Sequence, residues 1–243
     1  VTHDKTIIHP GAHTFRDPVL LIDYDGTMAA TRPAITGALQ AALQACGCHR
    51  LDPKAVAYFL AGGGTFFDFF HAHVPDATPQ EDRKFITAYH QHYLVLNREE
   101  THLFPGVAQT LKTLFEAGYT LISVSNKWEV ALRECLQQFD VLRYFTAVVG
   151  SEIGAPRKPQ ATLWTERIAP LLPGVQARDC LAVGDTAADI EFGHNAGIPV
   201  CWARYGFGDA AQCEALKPQY SIADFPALLP IVRQITAAAH KAA

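Results

Sequence analysis

No stretch of this 243-residue chain is apolar for the roughly 18 residues that a membrane-spanning helix needs. The opening segment, Val1 to Pro18, is polar and histidine-bearing and lacks the apolar core of a signal peptide. There is no run of lysine or arginine, and with a formal net charge of -4 the chain has no basic footprint for nucleic acid. Cys46-x-Cys48 has no second cysteine pair to complete a metal site, and Cys135, Cys180, Cys201 and Cys213 stand in apolar surroundings that suit buried free thiols. Internal repeats are absent, as is low complexity before the alanine-rich tail that follows Ile235 and is expected to fray. Together these absences predict a soluble cytoplasmic protein with reduced thiols and no membrane or nucleic-acid partner. Its 49% hydrophobic content is enough for a sizeable core.

The most informative stretch is Val19-Leu20-Leu21-Ile22-Asp23-Tyr24-Asp25-Gly26-Thr27. An apolar run of strand length ends in two acids, a glycine and a hydroxyl. Ionised Asp is costly to bury, so packing alone does not call for this ending. Residues i and i+2 of a strand point the same way, which puts Asp23 and Asp25 on one side. Gly26 lets the chain turn away, and the paired carboxylates make a seat for a hard cation such as Mg²⁺.

Beyond Thr27 the period becomes helical. Pro33 suits a helix start, and Ile35, Leu39, Ala42 and Leu43 recur on one face. Helices and loops without a strand are expected as far as Leu103, including a helix from Thr78-Pro79 towards Leu96. An alternating pattern then opens at Phe104-Pro105-Gly106. It gives a helix Val107 to Ala117 closed by Gly118, a strand Tyr119 to Val124, and a polar turn Ser125-Asn126-Lys127. A helix from Trp128 to Phe139, a strand Ala147 to Val149 and a helix Gln160 to Ala169 follow. The strand Cys180 to Val183, a helix ending near Ala196-Gly197, and a last strand Ile198 to Trp202 complete it. Strands alternating with helices predict an α/β fold with a doubly wound parallel sheet. The expected organisation is a core of residues 15–31 and 104–235, a helical cap of 32–103, and flexible termini at 1–14 and 236–243.

In such a sheet, ligands bind outside the carboxyl ends of the strands. Those ends carry Asp23 and Asp25, then Ser125 and Asn126, then Asp185, with Lys158 in the loop before the Gln160 helix. Asp189 lies four residues after Asp185, on the same helical face. Four carboxylates, a hydroxyl and a lysine therefore converge on one rim. The acids repel one another unless a divalent cation and the ammonium compensate them.

Asp23-x-Asp25-Gly26-Thr27, Ser125-Asn126, Arg157-Lys158-Pro159 and Gly184-Asp185-Thr186-x-x-Asp189 resemble, in order and spacing, the four motifs of the haloacid dehalogenase superfamily. The resemblance covers about residues 19 to 230. The block after the first motif is similar to that family's helical cap of the first type. Gly184 to Ile190, Ala196-Gly197 and Tyr205-Gly206-Phe207-Gly208 look most like the phosphoglycolate phosphatase-like branch.

The resemblance implies that Asp23 attacks phosphorus and forms an aspartyl-phosphate, while Asp25 serves as general acid and then base. It implies phosphate binding by Gly26, Thr27, Ser125, Asn126 and Lys158, and Mg²⁺ binding by Asp23, the Asp25 carbonyl, Asp185 and Asp189. The function it implies is a Mg²⁺-dependent phosphatase acting on a small phosphate monoester such as 2-phosphoglycolate, as a monomer or homodimer. A sugar-phosphate mutase, a pyrophosphatase and a nucleotidase are alternatives within the same family. A phospho-accepting signalling module uses a similar aspartate, hydroxyl and lysine, but such modules are about half this length. One departure is Met28-Ala29-Ala30-Thr31, where Ala30 replaces the acid that many relatives carry. It lies at the passage into the cap and bears on substrate more than on reaction.

Other features have plainer readings. His71-x-His73 lacks further ligands and reads as helix surface, and Trp164 and the phenylalanines at 66, 67, 69 and 70 read as packing. Gly206-x-Gly208 does not open a helix after a strand, so it is no dinucleotide loop. Gly62-Gly63-Gly64 is expected to be a cap loop that descends onto the substrate. Arg32, Gly63, Gly64 and Thr65 are accordingly the candidate substrate residues. Lys127 reads as a surface or substrate-side residue.

Overall fold

The computed structural model describes residues 17–242. Strand β1 (Val19–Ile22) is followed by four helices: α1 (Arg32–Ala45), α2 (Pro53–Leu60), α3 (Phe66–His73) and α4 (Pro79–Glu100). Then come α5 (Val107–Glu116), β2 (Leu121–Trp128), α6 (Glu129–Gln138) and β3 (Ala147–Ser151). The chain closes with β4 (Cys180–Gly184), α7 (Ala187–Ala196), β5 (Val200–Ala203), α8 (Ala210–Ala215), β6 (Tyr220–Ile222) and α9 (Leu228–Ala242). Among the described residues the sheet has six strands in the order β3-β2-β1-β4-β5-β6, and every pairing is parallel. The fold is therefore the expected doubly wound α/β sheet.

Strand β1 is apolar throughout because the sheet is covered on both faces. Leu20 and Ile22 pack into one core, and Val19 and Leu21 into the other. The order reverses at β1, which pairs with β2 on one side and β4 on the other. That is the switch point at which open α/β sheets leave a crevice beyond their strand ends. Asp23 and Asp25 emerge there.

The first of the two cores continues without a break into the helices between β1 and α5. Pro33 lies in the first turn of α1, and Ile35, Leu39, Ala42 and Leu43 are buried on its inner face. In α4, a capping box between Thr78 and Glu81 fixes the start. Phe85, Ala88, Tyr89 and Tyr93 then bury at helical spacing. No helix among the described residues is long and apolar enough to cross a membrane.

Several expectations change. Ser125, Asn126 and Lys127 do not form a turn; they continue β2, with a register irregularity between Val124 and Trp128 against β3. Such irregularities re-aim side chains at a strand end. The segment expected as an α-helix over 160–169 is instead a π-helical turn, Trp164–Ile168, that passes into a 3-10 turn containing Pro170. The strand at Ile198–Trp202 is not the last, because β6 adds an edge beyond β5. Residues 236–242 continue α9. Residues 1–14 lie outside the described residues. Phe69 and Phe70 are buried and Phe66 is half-buried, but Phe67 is 50% exposed. His71 pairs with Asp82 of α4, whereas His73 accepts from the Asp52 backbone N–H at the start of α2. The two histidines thus tie helices together. Trp164 packs in the core as read.

Candidate active site

Asp23 follows β1 directly and is buried, as are Ser125, Lys158, Asp185 and Asp189. Lys158 Nζ lies 2.6 Å from Asp23 Oδ1 and 2.5 Å from Asp189 Oδ1, and it donates to the Val124 carbonyl at 3.0 Å. The loop that carries Lys158 is clamped by Asn126, whose Oδ1 accepts from the Lys158 N–H and whose Nδ2 donates to its C=O, each at 3.0 Å. Burial works against the ammonium, but Asp189 and Asp23 beside it hold its pKa above the ordinary lysine value.

Asp185, just past β4, is held differently. Thr27 donates its hydroxyl to Oδ1 at 3.0 Å, and the Phe207 N–H donates to Oδ2 at 2.6 Å. Tyr205 fixes this arrangement by donating to the Thr27 carbonyl at 2.7 Å. Gly26 has φ +80°, and a Cβ there would fall 2.2 Å from Asp185 Oδ2; a Cβ on Gly206 would meet the same carboxylate. These glycines are required for backbone to close around Asp185. Asp189 Oδ2 accepts from the Thr186 N–H at 3.0 Å and from its hydroxyl at 2.7 Å, at the start of α7.

One oxygen each of Asp23, Asp185 and Asp189 can lie within 4.8 Å of the others. Three buried carboxylates thus cluster, and one ammonium pairs with two of them. Burial, opposed by Lys158 and reinforced by Asp189, raises Asp23 to about 7. Burial, then Asp189 and Asp23, pushes Asp185 well above the carboxylate range. An all-oxygen, acid-rich seat with negative charge in excess of its lysine fits a hard divalent cation such as Mg²⁺.

Asp25 is not part of that cluster. Its carboxylate faces Lys127 Nζ at 3.0 and 3.2 Å, and Lys127 also donates to the Tyr93 hydroxyl at 2.7 Å. Tyr93 in turn donates to Asn97 at 2.8 Å. Lys127 is almost fully buried, so the surface alternative is corrected: its side chain lines the cavity. Burial opposes its ammonium, yet with Asp25 adjacent its pKa lies above the ordinary value.

One cavity of about 150 Å³ lies beyond the strand ends, and Asp185 is not among the residues that line it. Asp23, Asp25, Ser125, Asn126, Lys127, Lys158 and Asp189 form its floor, and Phe59, Phe66, Tyr89, His90, Tyr93 and Trp128 form its wall. The glycine loop reaches the cavity through Gly62, where a Cβ would stand 3.3 Å from Ala188 Cβ and 3.4 Å from Thr186 Oγ1. Gly63, Gly64 and Thr65 are not in the lining. Gly63 backs onto the Tyr58 ring, Gly64 onto Asp68, and Thr65 caps α3. Arg32 is also outside the lining, with its guanidinium 5.0 Å from the centre of the Phe207 ring. Thr27 is buried against Asp185.

The sequence pattern described as Haloacid dehalogenase-like hydrolase matches residues 20–203, three quarters of the chain. The chain belongs to that family. A phosphoglycolate phosphatase of Mesorhizobium japonicum is 30% identical over 227 residues, 92% of this chain and 99% of the relative. A 5'-nucleotidase of Pseudomonas aeruginosa is 29% identical over 219 residues, covering 89% and 96%. Among solved structures, one described as a predicted phosphoglycolate phosphatase from Haemophilus somnus superposes with a TM-score of 0.78 at 23% identity, covering 91% of this chain and 99% of that one. The family is one of hydrolases, and the likeness to that structure shows the same fold.

The sequence reading missed the aromatic wall and the Lys127–Tyr93 link. Both depend on which helix faces packs over the strand ends. One available signal for Tyr93 was its spacing four residues after Tyr89, on the inner face of α4.

Proposed function

We propose that this hydrolase is a Mg²⁺-dependent phosphatase that cleaves a small-molecule phosphate monoester through an aspartyl-phosphate. The observation that carries the reading is the buried meeting of Asp23, Lys158 and Ser125 on the floor of a cavity that Asp25 also lines. Lys158 engages Asp23 Oδ1, which leaves Oδ2 to attack phosphorus while the bond to the leaving oxygen breaks. Asp25, protonated when the ester binds, gives that oxygen its proton and becomes the carboxylate that Lys127 holds. It then takes one from the water that attacks the phospho-aspartate, releasing inorganic phosphate and restoring Asp23. Ser125 offers its hydroxyl to a phosphoryl oxygen. Lys158 stabilises charge on the transferring group from a site with little water. Asp23, Asp185 and Asp189 would hold Mg²⁺, which supplies further positive charge for the phosphoryl oxygens. Asn126 and Thr27 act one step back, holding Lys158 and Asp185 in place.

The helices between β1 and α5 serve as a cap that excludes water and selects the ester. Two relatives of nearly equal similarity carry names with different leaving groups, so their names do not choose between substrates. 2-Phosphoglycolate is the natural reference ester. The test is phosphate release from a panel of esters with Mg²⁺ and with chelator, for the wild type and Asp23→Asn. Release that needs the cation and falls on the order of 10⁴-fold or more in the variant is expected. Full release in chelator would overturn the reading. A phospho-enzyme without net release would indicate transfer to a second substrate hydroxyl.

A further inference from the structure

The cavity lining holds no uncommitted cation for a carboxylate-bearing leaving group. Its lining contains two lysines and, among the described residues, no arginine. Both lysines are committed, Lys158 to Asp23 and Asp189, and Lys127 to Asp25. The Asn126 amide is spent on the Lys158 backbone, and the Tyr93 hydroxyl on Lys127 and Asn97. His90 has its pKa lowered by burial and then by Lys127, which favours the uncharged ring. A carboxylate placed there would face Asp23 and Asp25 without a cation of its own.

Instead the wall presents rings. Phe59, Phe66, Tyr89 and Tyr93 form a continuous series with centroid separations of 5.1, 4.5 and 5.6 Å. Helix-core packing does not account for all of it, because Phe59 and Phe66 are only half-buried and Trp128 is 40% exposed at the cavity edge. Phe70 and Phe85 stack at 4.5 Å and are buried within the helical layer, away from the cavity lining.

We propose that the leaving alcohol of the preferred ester carries an uncharged flat ring, seated against Trp128 and Phe66, and that carboxylate-bearing esters such as 2-phosphoglycolate are poor substrates. This rests on the phosphatase reading above. The ring has two possible sources, a nucleobase or a ring one carbon from the ester oxygen.

The test compares kcat/KM, in Mg²⁺, for benzyl phosphate, uridine 5'-monophosphate and 2-phosphoglycolate. Benzyl phosphate and 2-phosphoglycolate share the CH₂–O–phosphate unit and differ in ring against carboxylate. The ring esters are expected to lead by tenfold or more, and whichever of the two is faster identifies the source. Trp128→Ala is expected to reduce the ratio of benzyl phosphate to 2-phosphoglycolate about tenfold, with Trp128→Phe retaining most of it. Turnover of 2-phosphoglycolate equal to or above that of both ring esters would overturn the proposal and leave the phosphatase reading standing. So would a ratio unmoved by Trp128→Ala. No release from any ester would overturn the phosphatase reading, and this proposal with it.

Discussion

The floor and the wall of the cavity are built on opposite principles. The floor places charged and hydroxyl groups from separate strand ends within hydrogen-bonding reach, each held by a second residue: Asn126 for Lys158, Thr186 for Asp189. The wall uses rings on α2, α3 and α4, with Trp128 at the end of β2, and has no charge of its own. On the proposed mechanism the reaction needs particular atoms at particular distances, so substitutions on the floor are expected to cost activity. Selection of a leaving group needs only complementary shape and polarity, so a wall can change while the reaction stays the same. Two relatives of similar identity to this chain carry different substrate names.

The largest effect that would test the division falls on Asp185, which clusters with Asp23 and Asp189 of the floor. Asp185→Asn removes one of three clustered carboxylates. Turnover is expected to fall on the order of 10³-fold, the equivalent of several kcal/mol of charge stabilisation. Stability should move the other way in chelator. Burial, Asp189 and Asp23 all disfavour the Asp185 charge, so its neutral replacement should raise Tm. Added Mg²⁺ should raise the wild-type Tm by binding the folded state, and raise that of the variant much less. Equal Mg²⁺ shifts in the two proteins would remove Asp185 from the cation site. Scanning calorimetry with and without chelator measures both signs.

Much of the floor could be read from the sequence because Asp23, Asp25 and Ser125 follow apolar strand runs, whereas Lys158 comes from a loop. Asp23 and Asp25 end one such run, and Gly184-Asp185 ends another. The fold class could be read for the same reason, as buried parallel strands leave continuous apolar segments between helical periods. The wall could not. Phe59, Phe66, Tyr89 and Trp128 share no spacing, and each is a residue that a helical layer also uses for packing. Lys127 was misplaced in a turn because the irregularity that keeps it in β2 arises from pairing with β3, a tertiary effect. Strand β6 is three residues long, too short for a period to show. Helix α9 did leave a signal, since alanine is the best helix former.

An intermediate effect belongs to the residue that joins the two regions. Lys127 touches Asp25 on the floor and Tyr93 on the wall. Lys127→Met leaves Asp25 without its cation. Because Asp25 keeps some solvent exposure, the cost should be nearer 2 than 5 kcal/mol. Tyr93→Phe removes one hydroxyl and should cost about 1 kcal/mol. If the three groups act as a unit, the double variant loses less than the sum of the single losses. In kinetics, Lys127→Met should lower kcat more than it raises KM, because it frees the proposed proton carrier rather than the ring seat. Additive losses in urea unfolding, with KM alone affected, would make floor and wall independent.

The smallest effect tests whether the wall is electrically silent. His90 is the imidazole in the lining, and burial followed by Lys127 lowers its pKa below the ordinary 6.5. The unfolded chain therefore takes up a proton near that value, while the folded chain resists it. His90 contributes no penalty above the unfolded pKa, and stability is lost as pH falls through it. His90→Asn removes that loss, so Tm of the variant minus Tm of the wild type should be larger at about pH 5.5 than at about pH 8. The same proton, once bound, would give the wall its first free cation. The lead of benzyl phosphate over 2-phosphoglycolate should then narrow at the acid end in the wild type and stay level in His90→Asn. A lead that narrows equally in both proteins would place the acid-sensitive group on the floor, leaving the wall neutral at every pH where the enzyme folds.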